Sequence, residues 1–393
     1  MLATEKRFRK RSNRNIKTNM KLSIIIPARN EFPNVCHTFY SIVHCLEADG
    51  FSYKDYEVIL VDNGSNDDVF PSRGTKGTTS YLEGRGAYGN AIIRIVRDPI
   101  CGNHSARNKG AKIARGEYLF FSDAHMAYKP GFFKSIIKSC EESGGLVHGT
   151  LQFMGAYPPT QSGSGYGYTI KLGEEIKGTW HNYLQGDGKQ WFYIPAQGHW
   201  GVCVKKEQFL DFGGYPDIHR TYGGGEFYLD MKWWMFGSSV VTDPNAIGYH
   251  LASGRGYSYD NMDYKHNVLN IAYALGMDDW RERSYINWLR HHNKEKMDFI
   301  MKEGEKEMES DRQFVEKRRV KTFNELIVER PWKKLNEQKF GKGLDCLLVY
   351  NDTIIDLIKQ SPVANEAYEN SKFQRSLDEF IKNNLQEFVY GKK

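Results

Sequence analysis

Lys21-Leu22-Ser23-Ile24-Ile25-Ile26-Pro27-Ala28-Arg29-Asn30-Glu31 sets the fold class. A short β-branched run, entered by a charge and left by a polar stretch, reads as a strand buried on both faces, the pattern of a parallel sheet. Downstream, Val35, Phe39, Ile42, Val43 and Leu46 recur at helical spacing, and Asn30 to Pro33 supply helix-start signals. Glu57-Val58-Ile59-Leu60-Val61 repeats the buried-strand pattern and runs into the turn-forming loop Asp62-Asn63-Gly64-Ser65-Asn66-Asp67-Asp68. Strand, helix, strand implies a right-handed parallel unit.

A third strand, 91–96, leads into a helix whose Ala106, Gly110, Ile113 and Ala114 form a narrow small-residue stripe, with Gly116 expected to close it in a left-handed cap. Arg107 and Lys109 add cationic donors near its positive end, a place for a diphosphate or else a solvated basic face. Residues 116–122 then read as a strand closing on Asp123-Ala124-His125. Alternation puts Asp123 and His125 on one side, able to grip one ion, and a carboxylate with an imidazole suits Mn²⁺ better than Mg²⁺. Ligands of such sheets bind beyond the carboxyl ends of strands, where Arg29-Asn30, Asp62-Asn63 and Asp123-Ala124-His125 fall.

In the second half, Tyr222-Gly223-Gly224-Gly225-Glu226 is a glycine turn entering a helix-like stretch, with Glu226 and Asp230 four apart and so on one face. Tyr222, Trp233 and Trp234 are core residues or sugar platforms. His250 follows an expected strand at 239–242 and a turn at 243–245. Ser253-Gly254-Arg255-Gly256-Tyr257-Ser258-Tyr259 reads either as a lid whose Arg255 clamps phosphate oxygens or as a plain surface loop. Residues 149–195 show little periodicity and are expected as loops for acceptor recognition or as an ordinary insertion. His199, just before the strand Val202-Cys203-Val204, is a further site candidate.

Six segments together resemble the family 2 glycosyltransferases of the GT-A fold, nearest to the polypeptide N-acetylgalactosaminyltransferase group. They are Ser23 to Glu31, Leu60 to Ser65, Ala106 to Ala111, Phe121 to His125, Tyr222 to Glu226 and Gly248-Tyr249-His250, in the family's order. The resemblance implies that Asp123, His125 and His250 hold Mn²⁺, with Mg²⁺ the alternative, and that Asp62 and Asn63 recognise uracil. It places Pro27, Ala28, Arg29, Asn30, Arg107 and Ala124 among the residues binding the donor nucleotide, and Glu226 against donor sugar and acceptor. Asp230 shares the acceptor-side carboxylate role. The chain departs from the group at Asn63, usually Asp, at Tyr222, usually Trp, and in an extra glycine before Glu226.

The resulting expectation is an α/β GT-A domain over 21–278, a basic flexible arm over 1–20 and a helical C-terminal subdomain over 279–393, in which Leu344, Leu347, Leu348, Ile354, Ile355 and Ile358 mark one helix stripe. The expected activity is metal-dependent transfer of a hexose or N-acetylhexosamine from a UDP-sugar to an acceptor hydroxyl. Retention follows from the resemblance; inversion would need Glu226 or Asp230 as general base. Arg107 and Arg255 would assist departure of UDP.

With 393 residues, 40% hydrophobic and 14% aromatic, the chain has ample material for a core, and wholesale disorder is excluded. Residues 1–21 hold eight bases against one acid, a net of +7 that exceeds the whole-chain +6. That arm suits an anionic partner or a solubilising terminus. The six scattered cysteines lack Cys-x-x-Cys spacing, and no run approaches a membrane span, so a cytoplasmic protein with reduced thiols is expected. The acceptor stays open between protein, glycan and hydroxymethylated bases of DNA. A non-catalytic nucleotide-sugar or carbohydrate-binding module and a nucleotidyltransferase are the rival classes.

Overall fold

A computed structural model describes residues 20–66, 92–99, 102–155, 162–173, 175–216, 220–251 and 260–389. The opening strand β1 (Leu22–Ala28) pairs in parallel with β2 (Tyr56–Asp62), in the register Ile24↔Val58 and Ala28↔Asp62. Beyond β2 lies β3 (Ile92–Arg97), and on the other edge of β1 lies β4 (Tyr118–Ser122), both parallel. The helix Asn34–Ala48 buries Val35, Phe39, Ile42, Val43 and Leu46, the face its spacing marks.

The sheet continues past β4 with mixed polarity. Antiparallel β11 (Gly201–Lys205) joins β4 to β6 (Leu146–Met154), and β12 (Val240–Leu251) runs parallel to β6. The short strands β5 (Met126–Tyr128), β7 (Ser162–Gly165) and β10 (Phe192–Tyr193) complete ten strands among the described residues. A second sheet of three combines β8 (Gly167–Leu172), β9 (Ile176–His181) and β13 (Leu347–Val349).

The small-residue stripe is a packing device. A Cβ on Gly110 would come within 2.5 Å of Ile25 Cγ2, so the helix Asn103–Ile113 lies close on the sheet only because that atom is absent. The left-handed cap expected at Gly116 does not form; the helix ends at Ala114 with extended backbone. Gly116 is there for proximity, since its Cβ would sit 2.5 Å from Ser23 N.

Three further expectations change. Residues 149–195 are not one loop: they hold β7, β8, β9 and β10 and most of β6, in strands too short and too glycine-interrupted to show alternation. The apolar stripe from Leu344 to Ile358 is not one helix, because Leu347–Val349 pairs with β8 and only Asp352–Lys359 is helical. Cys346, at φ 56°, breaks the helical path just before Leu347. The turn expected at 243–245 is an irregularity inside β12, where the register against β6 shifts between Asp243 and Ile247.

After β12 come the helices Asn261–Ala274, Asp278–Trp288 and Lys294–Arg318, then, among the described residues, five more α-helices interrupted by β13. One apolar core runs from Ile25 and Phe121 through Met308, Phe323 and Leu377, so the C-terminal helices pack on the sheet domain. The five described cysteines, Cys36, Cys45, Cys140, Cys203 and Cys346, are buried and free; Cys101 lies outside the described residues. Among the described residues no helix is long and apolar enough to cross a membrane.

Candidate active site

A cleft of about 410 Å³ opens at the carboxyl ends of β1, β2 and β4, bringing together Pro27, Ala28, Arg29, Asn63, Asp123, Ala124, His125, Glu226 and His250. Parallel register explains the first set, because Ala28 pairs with Asp62 and Ile25 with Phe121, so the loops leaving these strands share one edge. His250 arrives differently. β12 runs antiparallel to β5 with His250 opposite Met126, and Leu251 N donates to His125 O at 3.1 Å, which sets the two imidazoles side by side.

His125 Nε2 and His250 Nε2 are 3.1 Å apart, and His250 Nε2 is 3.6 Å from Asp123 Oδ2. Donors roughly 2.0–2.2 Å from one ion sit about 3 to 3.5 Å from each other, so the three side chains fit a shared divalent cation. Two of the three, Asp123 and His125, are also held from behind. Arg107 Nη2 donates to Asp123 Oδ1 at 2.9 Å, and Glu31 Oε1 lies 3.3 Å from His125 Nδ1, the outer carboxylate that orients a metal-binding imidazole. Burial would raise the Asp123 carboxyl, but the His250 imidazole, the Arg107 charge and His125 outweigh it and hold it well below the usual carboxylate range.

Several candidates take other places than expected. Arg107 is 1% exposed and faces inward, donating to Asp123 and to His199 O at 2.9 Å, so it positions the aspartate instead of meeting a diphosphate. Asp62 sits behind the cleft wall: its oxygens accept from Ser65 N at 3.0 Å and Arg97 Nη1 at 3.1 Å. Asn63 faces the cleft with its Oδ1 accepting from Gly102 N at 3.1 Å. Asn30, at φ 54°, ties its loop to the next through Asn66 N at 2.9 Å. Arg255 lies outside the described residues.

Asp230 is corrected from an acceptor-side carboxylate to a fully buried anchor. Its Oδ1 accepts from His148 Nε2 at 3.0 Å and His199 Nε2 at 3.1 Å, and its Oδ2 from Gln197 N at 2.8 Å. Glu226 alone of the pair reaches the cleft, from the first turn of the helix Gly225–Met235. The glycines before it carry positive φ, 115° at Gly223 and 76° at Gly224, as the turn expectation required. His104 braces this turn from below: its Nε2 donates to Gly223 O at 3.2 Å, its ring stacks on Tyr215, and burial pulls its pKa down to about 4.

The sequence reading missed Glu31, His104 and an aromatic wall. Phe153, Tyr168 and Trp180, from β6, β8 and β9, line the cleft beside Tyr222, with the Tyr168 and Trp180 rings 4.6 Å apart. Trp233 and Trp234 are core residues. The glycine and aromatic richness of 149–195 was the available signal for this wall.

Residues 23–153, which include Asp123, His125 and the cleft loops after β1, β2 and β4, match the family described as Glycosyl transferase family 2. This stretch is similar to a family 2 glycosyltransferase domain. Beyond it, N-acetylgalactosaminyltransferase 4 of Drosophila melanogaster is 22% identical over 284 residues, 67% of this chain and 41% of that protein. Polypeptide N-acetylgalactosaminyltransferase 6 of Mus musculus is 23% identical over 279 residues, 67% of this chain and 43% of that protein. The chain thus spans less than half the length of these relatives. A crystal structure of GalNAc-T7 with UDP, GalNAc and Mn²⁺ superposes with a TM-score of 0.55 at 17% identity, over 74% of this chain and 57% of that one. The domain has the GT-A fold, a mostly parallel sheet flanked by helices.

Proposed function

We propose that the chain is a metal-dependent glycosyltransferase moving a hexose or N-acetylhexosamine from a UDP-sugar to an acceptor hydroxyl. The convergence of Asp123, His125 and His250 on one point of the cleft carries this reading. A divalent cation such as Mn²⁺, when bound there, supplies positive charge to the diphosphate of the departing UDP. Arg107 keeps Asp123 ionised and aimed, and Glu31 orients His125. Asn63, its carbonyl engaged by Gly102, offers amide hydrogens to a uracil oxygen. Tyr168, Trp180 and Tyr222 present ring faces and edges on which sugar rings stack.

Glu226 orients donor and acceptor and stabilises positive charge developing on the sugar ring. In the retaining course proposed, the sugar C1–O bond breaks with its electron pair leaving on UDP. The acceptor oxygen bonds C1 on the same face, and its proton passes to the phosphate oxygen. A panel of UDP-glucose, UDP-galactose and their N-acetyl forms with Mn²⁺, scored for UDP release and for product anomer by NMR against peptide, glycan and modified-DNA pools, tests the reading. UDP binding without turnover of any donor would reject it, and an inverted anomer would reassign Glu226 as general base.

A further inference from the structure

The helix Asn261–Ala274 backs the glycine turn that carries Glu226. Asn267 Nδ2 donates to Tyr222 O at 2.9 Å, and Cβ atoms on Gly223 and Gly224 would each lie 2.6 Å from its side chains Tyr264 and Ile271. The same helix crosses Lys294–Arg318 at very close range, for a Cβ on Gly304 would meet Asn270 Cγ at 1.8 Å. His266 lies one turn before Asn270, and Glu303 and Glu307 lie on one face of the long helix on either side of Gly304. The crossing therefore fixes the imidazole against both carboxylates, with ligand atoms of all three within 4.8 Å of one another.

Hydrogen bonding decides what His266 offers them. Because Asn267 donates through Nδ2 to Tyr222 O, its other amide atom is the oxygen, and that oxygen lies 3.2 Å from His266 Nδ1. A carbonyl oxygen only accepts, so Nδ1 carries the proton and the neutral ring has its lone pair on Nε2. His266 is 2% exposed, and Nε2 sits 3.2 Å from Glu307 Oε2 without making a hydrogen bond. The Nε2 lone pair is thus left without a donor, beside two carboxylates that can only accept.

We propose that His266, Glu303 and Glu307 form a second divalent-cation site, of zinc class, that clamps the two helices together away from the cleft. One imidazole and two carboxylates are a donor set that zinc accepts, and the Nδ1–H held by Asn267 is the outer contact of a metal-binding histidine. The surroundings are anionic: Arg220 Nη2 pairs with Glu303 Oε2 at 2.8 Å and Nη1 approaches Asp263 at 4.0 Å, one cation against three carboxylates. Asp263 also accepts from Thr221 Oγ1 at 2.9 Å, and Thr221 and Tyr222 line the cleft, so the clamp steadies the cleft rim.

The test is calorimetric titration of Zn²⁺ into the full chain carrying Asp123→Ala and His250→Ala, which removes the cleft ligands, with thermal melting alongside. One equivalent should bind and raise the melting temperature. Adding Glu307→Gln, a 38% exposed side chain that folding does not require, should weaken binding at least about tenfold and remove the thermal gain. In the otherwise unaltered chain, Glu303→Gln with Glu307→Gln should lower the Zn²⁺ stoichiometry by one. Absence of binding in the cleft-depleted chain, or binding indifferent to Glu307→Gln, overturns the proposal whatever the outcome for glycosyl transfer.

Discussion

Arg107 donates to Asp123 Oδ1 at 2.9 Å from a position 1% exposed, which turns Oδ2 toward His250 at 3.6 Å. One buried cation thus decides which carboxylate oxygen faces His250, and it joins His250 in holding that carboxylate below its usual range.

Replacing Arg107 by Met removes that donor while keeping much of the side-chain volume. Mn²⁺ affinity at the cleft should fall by about 10–100-fold, the usual cost of losing an outer contact to a ligand. The pH midpoint of Mn²⁺ binding should rise, because Asp123 loses a neighbouring positive charge. Mn²⁺ titration across pH checks both, and an unchanged midpoint would contradict the positioning role.

Asp230→Asn strikes the anchor behind the cleft. An amide cannot accept from His148 and His199 together with Gln197 N as the carboxylate does, so a loss of about 2–4 kcal/mol is expected in denaturant unfolding. The native carboxyl is buried, which alone would raise it, yet His148 and His199 pull its pKa below the ordinary value. The stability this gives is present above the unfolded pKa and fades as pH falls through the folded one. The difference between wild type and variant should therefore shrink in acid.

Lys232 is fully buried and donates to Gly214 O; burial brings its pKa down to about 7, with Asp311 opposing. An unfolded lysine keeps its proton to about pH 10.4, so between pH 7 and that value the unfolded chain binds more protons and stability rises with pH. Lys232→Met should flatten this rise and stabilise the chain more at pH 6.5 than at pH 9.5, offset by about 1 kcal/mol for the lost hydrogen bond. Thermal melts at the two pH values decide it.

Gly225→Ala places a Cβ 1.7 Å from His104 Cε1. His104 is buried under the turn and cannot swing clear, so the turn must shift and carry Glu226 with it. Destabilisation of about 1–3 kcal/mol is expected, together with a larger fall in kcat than rise in KM for donor turnover. Equal activity in the variant would remove Glu226 placement from the account.

The parallel half of the sheet was legible because each strand is a continuous apolar run, and the loops after β1, β2 and β4 must then meet at one edge. The Asp123 and His125 pair followed from the same logic. His250 beside His125 depends on β5 pairing with β12 across 125 residues, which no local pattern records, and its naming rested on family resemblance. The inward turn of Arg107 and the burial of Asp230 were hidden because charge in a sequence does not reveal which side of a cleft wall it occupies. Leu347 and Leu348 were read as helix because a three-residue strand has no measurable period of its own.

The most direct measurement is a crystal structure of the chain with Mn²⁺ and UDP, read by the anomalous signal of manganese. The account predicts a peak bonded to Asp123 Oδ2, His125 Nε2 and His250 Nε2, with the diphosphate against it and uracil at Asn63. Manganese absent from those three atoms while UDP occupies the cleft would contradict it.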